Sequence, residues 1–346
     1  MTLIVNAEDL AGMIPAEDAV GAVEAAYRSL VEAPQMGSVH TRLFNDGRRA
    51  TFHPGGSPAH AAAGLFAHFE RINFGGAAQS YNAIGRRFYA MYDSDTAELA
   101  AIILGSLPLF PFDEPSAFGT ETAITSAVGT NVMARRDAKV LALIGTGRQA
   151  RRHLYLTCRQ FPIGEARIFS RNADNVRAFI AEMSGWVDVA LTAAGSAEAA
   201  VEGADIVMCA TASNVPVLDG GRLAAGSHVT SIVNGNKIAA RPGEPARYRR
   251  ELDDETLRRA DAIVAVMRAQ AVKDDQGDLA EPVANGIIAW DDIVDLGDVL
   301  SGRAKGRTGA GQITVFKQNS DQGVGFMALA RLGYERARAA GIGVEM

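Results

Sequence analysis

The sequence predicts an α/β fold in two domains, and three observations carry that prediction. In the second half of the chain, short apolar runs alternate with stretches of helical periodicity, the pattern of a parallel sheet with right-handed crossovers. In the first third, glycine separates strand-like runs with no helix between them, as in an antiparallel sheet. At 346 residues, 48% of them hydrophobic, the chain holds more apolar material than one core usually organises.

The elements follow in order. Residues 16–33 place Ala19, Val20, Val23, Ala26, Tyr27 and Leu30 at helical spacing, between Pro15 and Pro34, and read as an amphipathic helix. From residue 39 to 107 the runs HTRLF, RRATFHPGG, GLFAHFERINFGG, RRFYAMYD and ELAAIILGSL read as strands of an antiparallel sheet or partial barrel. Helical spacing returns over 120–136. Strands are then expected at 140–144, 166–170, 187–191, 206–210, 229–233 and 262–266, with helices over 148–160, 172–183 and 197–201. Residues 236–250, rich in Arg, Pro and Gly, read as a loop, and 325–341 as a closing helix with Phe326, Leu329, Ala330, Leu332 and Tyr334 on one face.

A net charge of −6 and a pI near 5.6, with no basic block, give no footprint for nucleic acid or an anionic membrane. A small-molecule partner is the remaining expectation, with no metal site. The two cysteines, Cys158 and Cys209, sit in apolar stretches as structural thiols and suit a reducing compartment. Glu8 and Asp9 stand where a signal peptide needs a basic start, and no apolar run reaches the ~18 residues of a membrane span. A cytoplasmic protein is expected.

The run KVLALIGTGRQARRHLYLTC carries the chemistry. It sets Gly145, Gly147 and Ala150 in a G-x-G-x-x-A pattern between an apolar strand and a helix. In a dinucleotide-binding turn the first glycine permits the bend, the second admits the pyrophosphate and the third, small residue lets the helix pack. The helix amides and dipole then hold the phosphates. Gly145, Thr146, Gly147, Arg148, Gln149 and Ala150 are therefore candidate cofactor residues in a Rossmann unit. At the tip of the next strand an NAD enzyme presents a carboxylate to the ribose 2′-hydroxyl. This chain has Ser170, Arg171 and Asn172 there, and a guanidinium suits a 2′-phosphate. NADP(H) is the expected cofactor, with NAD(H) as the alternative if Arg171 is a solvated turn residue.

At this point the sequence resembles the ornithine cyclodeaminase/mu-crystallin family. The likeness lies in ETAITSAVGTNVMARRDAKVLALIGTGRQARRHL, CATASNVPVLDGGRLAAGSHVTSI, RELDDETLRRADAIV and the tail LGDVLSGRAKGRTGAGQITVFKQ. The resemblance implies a homodimer of two-domain subunits. An α+β substrate-binding and dimerisation domain would comprise 1–118 with 310–346, and the NAD(P)-binding Rossmann domain 119–309. It also implies nicotinamide contacts from Thr211, Ala212 and Ser213.

The departures from the family pattern are informative. Members acting on α-amino acids carry R-T-A-A-x-S before the Rossmann unit, its arginine gripping the substrate carboxylate, whereas here the stretch begins with Glu121. The family's barrel lysine aligns with Phe66, and its aspartate after the fifth strand falls near Asn236, where no acid occurs. Arg42 stands where a carboxylate-binding arginine is expected. Arg42, Phe66, Glu121 and Asn236 are thus the candidate substrate residues.

The sheet half also supplies His53, His68, Glu70, Arg71, Asn82, Arg86 and Arg87. His68 and Glu70 fall on one face of a strand and are the candidate catalytic acid/base couple. Together these readings anticipate an NADP(H)-dependent oxidoreductase acting on a C=N or C–N bond of a substrate not held as a standard α-amino acid, an imine reductase or amine dehydrogenase. A carbonyl substrate fits the same geometry. A cofactor-binding, non-catalytic protein of the crystallin type and an ornithine-type cyclodeaminase are the alternatives.

Overall fold

Apolar runs such as VLALI, long enough for a strand and flanked by helical stretches, are the sequence form of strands covered on both faces. A computed structural model of the chain describes residues 1–45, 47–73, 80–114, 118–234, 249–319 and 322–346. It divides into unit 1, Met1–Thr125 with Asp321–Met346, and unit 2, Ser126–Ser320.

Unit 1 is a seven-stranded sheet in the order β15-β1-β6-β5-β4-β3-β2. The strands are β1 (Leu3–Asn6), β2 (Thr41–Asn45), β3 (Arg48–Ser57), β4 (Ala62–Asn73), β5 (Ser80–Asp93), β6 (Leu99–Leu104) and β15 (Val344–Glu345). From β2 to β6 the neighbours are antiparallel, as the glycine-punctuated runs imply, while β1 joins β6 in parallel. Among the described residues the edges β15 and β2 are unpaired with each other, so the sheet is open there. Helix α10 (Gly323–Ala340) packs on β3 and β4, and α1 (Ala16–Ser29) packs on α10. The approach of α10 to β3 is backbone to backbone, because a Cβ on Gly323 would lie 2.2 Å from the carbonyl carbon of Pro54. No larger residue fits there without displacing the helix.

Unit 2 is an eight-stranded, wholly parallel sheet in the order β13-β12-β14-β11-β10-β7-β8-β9. Its strands are β7 (Val140–Ile144), β8 (Glu165–Phe169), β9 (Ala190–Ala193), β10 (Ile206–Cys209), β11 (His228–Ser231), β12 (Ala262–Ala265), β13 (Ile293–Asp295) and β14 (Thr314–Lys317). The helices α3 (Arg148–Gln160), α4 (Ala173–Met183) and α5 (Ala197–Val201) lie between the first four of these. Helices α6 (Asp254–Arg258), α7 (Arg268–Asp274), α8 (Gly277–Ala284) and α9 (Leu296–Leu300) follow, while α2 (Thr120–Met133) precedes β7. Ala142, Ile144, Val207, Cys209, Val229 and Val315 form the spine of its core.

The boundary expected at residue 310 moves. Strand β14 is fully buried in the middle of the parallel sheet, so residues 310–319 belong to unit 2. The run TVFK is too short and too polar at its end to announce a central strand. Among the described residues no helix is long and apolar enough to cross a membrane.

Candidate functional site

The order of unit 2 places β8 and β9 on one side of β7 and β10 and β11 on the other, so the strand order reverses between β7 and β10. Open α/β sheets bind ligands at such a switch point, beyond the carboxyl ends of the strands. The turn after β7 lies there. Gly145 adopts φ +120°, and a Cβ on it would sit 2.3 Å from the carbonyl oxygen of Ala210 at the end of β10. Both the backbone conformation and the packing demand glycine.

Gly147 is a glycine for another reason. Its φ is −79°, which any residue adopts, and a Cβ there would meet nothing within 4 Å. The protein has no internal use for a bare backbone at this position, whereas an approaching pyrophosphate does. Gly147 is also the N-cap of α3 and gives no side-chain cap, which leaves the first-turn amides for an anion. Thr146, Arg148 and Gln149 line the same turn at partial or full exposure, and Ala150 is buried beneath it. These residues fit a dinucleotide.

At the tip of β8, Ser170 is half-buried and Arg171 exposed, and Arg171 has no hydrogen-bond or ion-pair partner among the described residues. Asn172 is engaged: its Oδ1 accepts from the amides of Asp174 and Asn175 and caps α4. After β10, the Thr211 amide and hydroxyl both donate to Glu251 Oε1, at 2.6 and 2.8 Å, and the Ser213 amide donates to the Thr211 hydroxyl. Ala212 is exposed between them.

Glu251 belongs to a fully buried network that the sequence did not announce. Its Oε2 accepts from the amides of Ile232 and Val233 and the hydroxyl of Ser231, and burial raises its carboxyl above the usual range. Lys317 Nζ donates to Ser231 Oγ, to the Val233 carbonyl and, at 2.6 Å, to Asp278 Oδ2. Asp278 Oδ1 accepts from the amides of Glu251 and Leu252. The one available signal was a lysine ending an otherwise apolar run, ITVFK.

In unit 1, cross-strand register decides which polar groups meet. On the face carrying His53 and His68, Arg49 stands opposite Glu70, Thr51 opposite His68, and His53 opposite Phe66. Directly opposed residues lie about 4.5–5.5 Å apart, closer than next-but-one neighbours on one strand, which lie about 6.5–7 Å apart. Glu70 therefore pairs with Arg49, whose Nε is 2.8 Å from Oε2 and whose Nη2 also contacts it, rather than with His68. The couple read from strand alternation is not formed, although both side chains are buried on the same face.

His68 instead meets His53, Nε2 to Nε2 at 3.0 Å, and His53 Nδ1 meets His40 Nε2 at 3.1 Å. His40, which sequence reasoning missed, comes opposite His53 by continuing the register from the Thr41–Phe52 pair. Arg42 Nη2 lies 3.2 Å from His40 Nδ1. Burial, followed by the positive charges of Arg49, Arg87 and Arg42, pushes His68 down to about 3. The histidine nitrogens bond to one another in line rather than converging on a point, and no metal-holding cluster occurs among the described residues.

Phe66 is wholly buried beneath this line, stacked on Phe326 at 4.3 Å between ring centroids. It is a core residue, not a ligand contact. Glu121, in the first turn of α2, is 2% exposed and accepts from the Tyr89 hydroxyl at 2.5 Å. Burial and the Glu121 charge together raise the Tyr89 hydroxyl well above its ordinary value. Asn236 lies outside the described residues. Burial pushes the Cys158 thiol up to about 12 and raises Cys209 as well, so neither is a nucleophile at neutral pH.

A doubly wound parallel sheet with a glycine turn at its switch point, joined to an open mixed sheet, defines an α/β protein of the Rossmann class. A model of the ornithine cyclodeaminase/mu-crystallin family matches residues 117–341, and the chain belongs to that family. An uncharacterized cyclodeaminase of Sinorhizobium fredii is 33% identical over 223 residues, 64% of this chain and 63% of that protein. Ketimine reductase mu-crystallin of Mus musculus is 28% identical over 212 residues, 61% of this chain and 58% of the relative. The chain thus matches less than two thirds of the length of these curated relatives. The solved structure of Thermococcus litoralis Δ1-pyrroline-2-carboxylate reductase, in complex with NADH and L-proline, has the same fold. Its TM-score is 0.81 at 24% identity, covering 99% of this chain and 100% of that one.

Proposed function

We propose that this chain is an NADP(H)-dependent oxidoreductase acting on a C=N or C–N bond, an imine reductase or amine dehydrogenase whose small substrate is not held as a standard α-amino acid. The observation that carries this reading is the turn at 145–150, where Gly147 has no reason within the protein to be glycine and α3 begins uncapped. A relative named as a ketimine reductase supports the reaction class. When bound, the nicotinamide supplies or accepts the hydride. The chain's own residues hold and orient. The amides of the turn and of α3 take the pyrophosphate, Ser170 and Arg171 take the 2′-phosphate, and the Thr211–Ser213 stretch, tied down by Glu251, faces the nicotinamide. In unit 1 Glu121 stands where the family pattern has a carboxylate-gripping arginine, so a substrate carboxylate is not held at that position, and Arg42 and His68 are left to hold the substrate.

The working assembly is a homodimer. Strand β2 is an open edge, and Leu43 (60% exposed), Phe44 (42%) and Phe69 (51%) leave large apolar groups uncovered nearby, a surface that a second copy would bury. Light scattering on the intact chain gives twice the monomer mass if this holds.

Calorimetric titration tests the cofactor. NADPH binds more tightly than NADH, and Arg171→Ala removes most of that difference, about tenfold for one exposed guanidinium–phosphate contact. Equal affinities in the unaltered protein overturn the NADP(H) assignment. Steady-state oxidation of NADPH with a panel of cyclic and acyclic imines tests the reaction, with ornithine and alanine as substrates expected to be inert.

A further inference from the structure

Chemistry fixes where the protons lie in the histidine line of unit 1. A guanidinium only donates, so His40 Nδ1 accepts from Arg42 at 3.2 Å. A neutral His40 then carries its proton on Nε2 and gives it to His53 Nδ1 at 3.1 Å. That forces the His53 proton onto its own Nε2, which gives to His68 Nε2 at 3.0 Å. His68, with Nε2 accepting, carries its single proton on Nδ1. This atom is buried and has no hydrogen-bond partner among the described residues, and the whole residue is 7% exposed. Each ring is braced: His53 sits edge-on to Phe326 at 4.9 Å, and His68 lies against Phe118 at 5.0 Å.

We propose that Arg42, His40 and His53 form a tautomer lock that presents His68 Nδ1–H as a hydrogen-bond donor, and that this donor selects a substrate bearing a carbonyl or carboxylate oxygen. A protonated amine, which only donates, would offer N–H to N–H and be rejected. The charged groups facing His68 agree with a neutral donor. Arg42, Arg49 and Arg87 all oppose a second proton, and the Glu70 carboxylate on the same face is taken by Arg49. A buried donor left unmade is costly, and a substrate oxygen recovers that cost on binding. The substrate half of this statement rests on the reductase reading above. The tautomer half does not.

The proton positions are measured on the intact chain without substrate or cofactor. Nitrogen-15 labelled histidine, observed through two-bond correlations from the ring carbons' protons, distinguishes Nδ1–H, Nε2–H and doubly protonated rings. At neutral pH, His68 is expected as Nδ1–H, and His40 and His53 as Nε2–H. Replacing His53 by Phe frees His68 Nε2, and the Nε2–H form of His68 should then appear. An Nε2–H or charged His68 in the unaltered protein overturns the lock whether or not the enzyme reduces imines.

The selection is read separately, in the NADPH oxidation assay. His68→Leu raises KM about 5- to 100-fold for substrates carrying a carbonyl or carboxylate oxygen while changing kcat less. His68→Asn, whose amide nitrogen sits where Nδ1 does, restores most of the loss. Equal KM values for the Leu and Asn variants overturn the donor role. Absence of any oxidation by the unaltered protein counts against the reductase reading instead and leaves the lock to the spectra.

Discussion

Each unit buries a polar network, and the two finish differently. In unit 2 the three protons of Lys317 all find oxygen, on Ser231, Val233 and Asp278, and the carboxylates of Glu251 and Asp278 are filled by backbone amides and hydroxyls. That network closes on itself. In unit 1 the line from Arg42 through His40 and His53 stops at a nitrogen of His68 that has no partner among the described residues. A closed network holds a structure together, and an open one is a request for something from outside.

The largest effect should come from opening the closed network. Lys317 and Asp278 are both fully buried, so Lys317→Met strands Asp278 without its counter-charge and costs about 3–5 kcal/mol of stability. Chemical denaturation of the variant measures this, and adding Asp278→Asn should return much of the loss. A cost below about 1 kcal/mol would break the comparison.

Acid titration comes next in size, and it compares an open with a closed histidine. His68 and His228 are pushed down to about 3 and His153 to about 4, chiefly by burial, against about 6.5 in an unfolded chain. Below pH ~6.5 the unfolded chain takes protons that the folded chain refuses, so stability falls with falling pH, by up to about 1.4 kcal/mol per pH unit for each histidine. The loss ends only where the folded pKa values lie, at about 3 to 4. Above neutrality these groups leave stability flat. Removing His228, whose two nitrogens meet Thr314 and Thr230, should cut the acid slope and lower stability at pH 8. Removing His68 should cut the slope with a smaller loss at pH 8, because one of its nitrogens is bonded rather than two. Identical behaviour would erase the distinction.

The smallest effect is expected at Tyr89. Its hydroxyl donates to Glu121 at 2.5 Å, and Tyr89→Phe takes one donor from a buried carboxylate, at a cost of about 1–2 kcal/mol by thermal denaturation. An unchanged melting temperature would show that Glu121 draws its support from elsewhere.

What could be read from the sequence follows from distance along the chain. The turn at 145–150, proposed here to take the pyrophosphate, is six consecutive residues that would act through backbone, so its glycine pattern is legible directly. The polar face of unit 1 was legible only as a list. Alternation put His68 and Glu70 on one side of β4, but their partners, His53 and Arg49, are set by the register of β3, and His40 by that of β2. The network under Thr211 was invisible, because Lys317 and Asp278 stand 39 residues apart and meet only when β14 enters the middle of the sheet.

That β14 and the rest of unit 2 run without interruption from residue 126 to 320 bears on how the chain is made. Domains generally fold as units while synthesis proceeds from the amino end. Here the segment translated second is the first to be complete, since unit 1 waits for α10, which carries the Phe326 ring beneath Phe66 and His53 and seats Gly323 on Pro54. During elongation the nascent chain passes through a stage with a finished Rossmann unit and a histidine-bearing sheet whose apolar face is still bare. It is in that interval that a chaperone, or a neighbouring nascent copy, has the most to hold.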